Sequence, residues 1–124
     1  MDKLEIVKAL DALAKLGVLF GGTRLRRRMV IEVRMSPTYI VVKYDDGGIQ
    51  YIDRRRYLAV HLPRLVKRDA AESLNTLAKL GVLYADNVRI VAVQRVGRRL
   101  EIVTEDGRKI PHTRLRQLVV QISP

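Results

Sequence analysis

The sequence predicts an α+β protein made by internal duplication. A helix plus an antiparallel β-meander, αββββ, occurs twice, and the two copies are expected to pack about a pseudo-two-fold axis. Three observations carry this. First, Leu10-Asp-Ala-Leu-Ala-Lys-Leu-Gly-Val-Leu-Phe20 returns 64 residues later as Leu74-Asn-Thr-Leu-Ala-Lys-Leu-Gly-Val-Leu-Tyr84, with eight of eleven positions identical. Second, each segment has apolar residues at helical spacing and is followed by short alternating runs broken by Pro, Gly and Asp. Third, the chain has 124 residues, 48% hydrophobic and 30% charged, a composition that suits one globular domain. One copy of about 60 residues would be marginal alone. Residues 1–64 and 65–124 are therefore expected to form one domain, with 63–68 as the junction.

In the first copy Leu4, Val7, Leu10, Leu13 and Ala14 form a helical stripe flanked by Lys3, Lys8, Asp11 and Lys15. Asp2 with Glu5 resembles a capping box, with Asp in place of Ser or Thr. Gly17 stands where a left-handed C-terminal cap belongs. Val18 and Leu19 extend the apolar surface past it, and Phe20 is expected in the core. Met29–Met35 and Tyr39–Tyr44 read as strands separated by Ser36-Pro37. Asp45-Asp46-Gly47-Gly48 closes a hairpin onto Ile49–Ile52, because Asp and Gly tolerate positive φ. Leu58, Val60 and Leu62 alternate as a last strand.

In the second copy Asp69 and Glu72 begin a helix whose stripe is Ala70, Leu74, Leu77 and Ala78, and Gly81 ends it. Tyr84 is expected in the core, like Phe20. Val88–Val93 and Leu100–Thr104 read as strands joined at Val96-Gly97, and Glu105-Asp106-Gly107 turns into Arg108–Ile110. Leu118, Val120 and Ile122 alternate. Leu115, Leu118, Val119 and Ile122 would also fit a helix, but the alternation is present in both copies, which favours strands. In this later region the repeat runs at an offset of 60: Asp46-Gly47 matches Asp106-Gly107, and Arg54 and Arg56 match Arg114 and Arg116. The second copy is thus four residues shorter, most simply in the loop after its helix.

Charge is the strongest functional signal. Lys plus Arg is 24 against 13 for Asp plus Glu, a net charge of +11. Such a surface attracts polyanions. The absence of Cys excludes disulfides, zinc–thiolate and iron–sulfur sites and a Cys nucleophile, and two His make a His-rich metal site a poor fit. No apolar run of roughly 18 residues is present, so no spanning helix is expected. The first residues lack a signal-peptide layout. A soluble, cytoplasmic, non-enzymatic protein without cofactor or membrane partner is expected. The excess of Arg and scarcity of Asn and Gln are compatible with a heat-adapted source.

The basic residues fall in clusters at strand ends and turns. Arg24, Arg26, Arg27 and Arg28 lead into the first strand, and Arg54, Arg55 and Arg56 follow the third. Arg98 and Arg99 precede a strand, Arg108 and Lys109 follow a hairpin, and Arg114 and Arg116 repeat Arg54 and Arg56. Arg presents a fork of donors matched to phosphate oxygens. Residues two apart in a strand share a face, so each Arg-x-Arg pair would make a basic stripe suited to a nucleic-acid backbone, DNA or RNA. Tyr51 and Tyr57 lie beside Arg54–Arg56 and are the candidates for base stacking. The competing reading is that these charges protect strand edges and that the chain is a structural or protein-interaction module, such as a homodimer. If the clusters converge on one face, binding gains. If they scatter and pair with Asp53, Asp86 and Glu101, edge protection gains.

Enzymatic constellations are thin. Gly21-Gly22-Thr23 is too short for a phosphate-binding loop. Asp45, Asp46 and Asp53, or Glu101, Glu105 and Asp106, could hold magnesium, but most of them are better explained as turn residues. His61 is expected to be structural, and His112 could touch phosphate.

Residues 88–118 look like the closing part of LytTR-type DNA-binding domains, through Ile90-Val-Ala-Val93, the Glu105-Asp106-Gly107 hairpin and Lys109-Ile110-Pro111-His112-Thr113-Arg114. That resemblance implies that Arg114 approaches DNA. The family's His-Arg-Ser-Tyr segment is absent, Gly81–Asn87 standing in its place, and the assignment is not adopted. A repeated helix and four-strand meander is also similar in architecture to the PUR and Whirly folds, without their motifs.

Overall fold

The computed structural model describes residues 3–22 and 26–124. Asp2, of the expected capping box, and Arg24 lie outside the described residues. Helix α1 (Lys3–Lys15) buries Ile6, Val7, Ala9, Leu10, Leu13 and Ala14. Leu4, expected on that stripe, is instead 51% exposed. Helix α2 (Arg68–Lys79) buries Ala70, Ala71, Leu74, Leu77 and Ala78. Both helices end in the same way. Gly17 and Gly81 take positive φ (75° and 77°). The amide of Val18 then donates to the Leu13 carbonyl and that of Gly17 to Ala14, as Val82 does to Leu77 and Gly81 to Ala78.

Ten strands follow: β1 (Leu19–Gly22), β2 (Arg27–Met35), β3 (Ile40–Tyr44), β4 (Ile49–Ile52), β5 (Arg56–Val60), β6 (Leu83–Ala85), β7 (Val88–Val96), β8 (Arg99–Thr104), β9 (Lys109–Pro111) and β10 (Leu118–Ile122). They form one antiparallel sheet in the order β4-β3-β2-β1-β5-β10-β6-β7-β8-β9. Each helix is thus followed by five strands, not the four expected. The additional strands, β1 and β6, are too short for alternation to be legible in the sequence. The closing segment of each half is a strand, as the alternation predicts, but β5 stops at Val60 and leaves Leu62, expected in it, outside.

Pairing registers recur between the halves. Leu19 faces Val60 and Phe20 faces Ala59, while Leu83 faces Val120 and Tyr84 faces Val119. Ala59 faces Val119 at the middle of the β5–β10 seam. Register shifts fall at Val30/Glu32 and at Ile90/Ala92. The amides of Val33 and Val93 each donate, at 3.0 Å, to a helix side chain: Asp11 Oδ1 and Asn75 Oδ1. The length difference falls in the β1–β2 hairpin, one strand later than the loop after the helix. Gly21 pairs with Arg28 and Gly22 with Arg27, whereas Ala85 pairs directly with Val88 around Asp86 and Asn87, both at positive φ.

Both helices cover the same face of the sheet and touch each other. Leu19, Leu58, Val60, Leu83, Leu118 and Val120 point into this one core. The junction is tied to the second half. The Val66 amide donates to the Arg98 carbonyl at 2.7 Å. Buried His112 accepts from the Leu100 amide at Nδ1 (3.0 Å), so its ring proton sits on Nε2 and is donated to the Pro63 carbonyl (2.9 Å). His112 is therefore a buried structural ring and not a phosphate contact.

Candidate nucleic-acid interface

Alternation along the central strands sends every second residue away from the helices. On that outer face Met29, Phe20, Ala59, Val119, Tyr84 and Arg89 form a straight row across β2, β1, β5, β10, β6 and β7. Small residues occupy its centre and an aromatic stands on each side. Phe20 and Tyr84, expected in the core, are half-buried on this outer face. Their neighbours Leu19 and Leu83 fill the core instead. The change of face follows from β1 and β6 being strands, since successive side chains then point to opposite sides.

A depression of about 690 Å³ lies over the seam, lined by Phe20, Arg27, Tyr57, Ala59, His61, Arg116, Gln117 and Val119 among others. A second, of about 360 Å³, is lined by Tyr57, Tyr84, Asn87, Val119 and Gln121. Tyr57 and Val119 belong to both, so the two adjoin. Tyr57 is 59% exposed. The Arg27 guanidinium lies over the Phe20 ring, 4.9 Å from its centroid. His61 meets the edge of Phe20 at 5.3 Å. Burial, and then the charge of Arg27, lower the pKa of His61 below its usual 6.5, so its ring is uncharged at neutral pH. Among the described residues no carboxylate lies within ion-pair distance of Arg27 or Arg116. At the opposite end of the row Arg89 is bound to Glu105 at 2.8 Å. The larger depression is therefore bordered by two Arg without an ion-pair partner among the described residues, while the Arg at the far end of the row is compensated.

The structure brings Arg27, Tyr57 and Arg116 together and spreads the other sequence-predicted residues. Arg28 makes a bidentate pair with Asp46 (2.8 and 3.0 Å), its guanidinium 3.9 Å from the Tyr44 centroid. That bond, helped by the Gly48 amide, holds the Asp46 carboxyl at a pKa of about 2. Arg108 pairs with Asp106, which the Thr104 hydroxyl also approaches closely; the hydroxyl first and then Arg108 lower the pKa of Asp106. Arg54 lies in a bend and Arg55 outside any strand, so only Arg56 is in β5. Arg114 is in a 3-10 turn (His112–Arg114) and Arg116 precedes β10. Neither Arg-x-Arg pair therefore shares a strand face. The reason is local: Arg54 precedes β5 and the turn at His112 replaces its counterpart.

Arg98 sits in the β7–β8 turn, and Arg99 opens β8 beside a separate depression that includes Arg64 and His112. Arg26 and Lys109 are exposed. Tyr51 is on the edge strand β4, packed edge-on against Tyr39 at 5.9 Å and away from the seam. Among the described residues Asp11, Glu32, Asp46, Glu105 and Asp106 form ion pairs. The sequence reading missed Phe20, His61, Tyr84, Asn87 and Gln121 as surface residues. The signal available was an aromatic one position after a buried Leu in both halves.

Among the described residues no three His, Cys, Asp or Glu side chains are grouped to hold a metal ion. No described helix is long and apolar enough to cross a membrane. No protein-family model, curated protein or solved structure matches the chain.

Proposed function

We propose that this is a non-enzymatic nucleic-acid-binding protein that contacts phosphates through Arg side chains, with the outer face of the seam as its docking surface. One observation carries the reading: Arg27 and Arg116, without an acidic partner among the described residues, meet Phe20 and Tyr57 in one depression. The net charge of +11 supplies long-range attraction. Exposed Arg54, Arg55, Arg98, Arg99 and Arg114 would add contacts to flanking phosphates. We also propose that the halves, 1–64 and 65–124, descend from one unit. The repeated segments and the recurring registers support this, and it explains why the face is centred on a seam between two last strands.

The test is a fluorescence-anisotropy titration with labelled DNA and RNA at several salt concentrations. Affinity is expected to fall linearly with salt on logarithmic axes, and Arg27→Ala or Arg116→Ala to reduce the slope by about 1 each. Absence of binding at low salt to any nucleic acid refutes the proposal. A second reading, a protein-interaction module or homodimer, is favoured by a different observation. Met35, Tyr39, Ile49 and Tyr51 are exposed on β2–β4 and the loop between β2 and β3, and β4 is an edge strand. Sedimentation would show association, abolished by Ile49→Lys, if that edge is an interface.

A further inference from the structure

Resting on the nucleic-acid reading, we infer that the seam face takes an unpaired strand rather than a duplex, with a base stacked on Tyr57 and phosphates on Arg27 and Arg116. Three features carry this. Tyr57 is the most exposed ring of the face and lines both depressions. A ring in that position can meet the flat side of a base only when the base is not already stacked inside a duplex.

The second feature is the posture of Arg27. Its guanidinium lies over the Phe20 ring at the border of the depression, while the residue stays exposed to solvent. To meet Arg27 and Arg116 together, a phosphate backbone has to follow the depression that both line. A flexible strand can do so, whereas a duplex, stiff over roughly 150 base pairs, presents its backbone from outside.

The third is the lining beyond Tyr57. Asn87 and Gln121 border the smaller depression beside Tyr84. Their amides supply both donors and acceptors, which suit the exposed edges of unpaired bases. Arg89, at that end, is occupied by Glu105. The strand therefore lies with its phosphates toward Arg27 and Arg116 and its base edges toward Asn87 and Gln121. Charge complementarity selects a polyanion over a second copy of this basic chain as the occupant.

The experiment compares four labelled ligands at one salt concentration with the intact chain: single-stranded oligo-dT, oligo-U, a duplex with the same number of phosphates, and an abasic strand of the same length. At least one of the two unpaired strands should bind 10-fold or more tighter than the duplex and the abasic strand. Tyr57→Ala should weaken that strand by roughly 5- to 150-fold and leave duplex binding unchanged, the range expected from about 1–3 kcal/mol of base–aromatic stacking. Tyr57→Phe should retain the affinity. Tyr57 is exposed, and an unchanged circular-dichroism melt would establish that the variants fold. Equal binding of duplex, abasic and unpaired strands, or no effect of Tyr57→Ala, overturns the inference and leaves the phosphate-contact reading standing. No binding to any ligand overturns both.

Discussion

Gly21 and Tyr44 are expected to be energetically coupled, and their counterparts in the second half show how. A Cβ added at Gly21 would sit 2.5 Å from the Tyr44 Oη and 2.9 Å from its Cε1. Tyr44 has no room to yield. It is 2% exposed, its hydroxyl donates to Gln50 Oε1 at 2.6 Å, and Arg28 is stacked on its ring. Across the seam the same register holds Ala85 and Thr104, both buried. The smaller Thr makes space for the methyl that Tyr44 forbids. Gly21→Ala should cost about 1–3 kcal/mol through overpacking, less ~0.4–1 kcal/mol recovered from the unfolded chain. The net is about 1–2 kcal/mol. Tyr44→Thr alone should cost ~3–4 kcal/mol for the lost ring. In the Tyr44→Thr background, Gly21→Ala should become neutral or stabilising, a coupling of ~2 kcal/mol. Urea unfolding of the four proteins, fitted by linear extrapolation, measures this cycle. An equal cost of Gly21→Ala in both backgrounds would refute the reasoning.

Three further outcomes are expected. His112→Phe should cost about 2 kcal/mol, because the buried Leu100 amide and the Pro63 carbonyl lose their partner; a urea midpoint unchanged from wild type would show that those bonds contribute nothing. The Asp46 carboxyl has a folded pKa of about 2 against an ordinary 3.8. Its contribution is therefore present above pH 4 and lost as pH falls toward 2, so Asp46→Asn should show a smaller stability loss between pH 4 and 2 than wild type. Asp11→Ala and Asn75→Ala should each cost ~1 kcal/mol, since each removes a side-chain acceptor from a strand amide; a large inequality between them in thermal melts would count against equivalent helix–strand anchoring in the two halves.

Much of the fold was legible in the residues. The Leu-Ala-Lys-Leu-Gly-Val segments specify both the helical stripe and the Gly-capped end, because each of these signals acts within a few residues. The Asp-Gly hairpins were legible for the same reason. The short strands β1 and β6 were not. Three or four residues after a helix cap cannot display a period, and only pairing with β5 and β10 makes them strands. The candidate site inherited that loss. Whether Phe20 faces core or solvent depends on which side of the sheet the helices cover, which no local pattern encodes. The clustering of Arg residues was legible, but their sorting was not. Arg108 meets a carboxylate of its own hairpin and Arg28 one in the turn of the neighbouring β3–β4 hairpin, while Arg27 and Arg116 meet across strands that are distant in sequence.

The strand order has a kinetic consequence. The β2-β3-β4 and β7-β8-β9 meanders join neighbours in sequence and can close early. The β5–β10 seam joins Val60 to Leu118, a contact with a large loop-closure cost. Val119, Arg116 and Gln121 reach the outer face only when β10 docks. The outer face of the seam is thus expected to be among the last parts of the molecule to form. A chain with both meanders closed but β10 undocked would lack that face, so under the proposed function ligand capture would report completed folding.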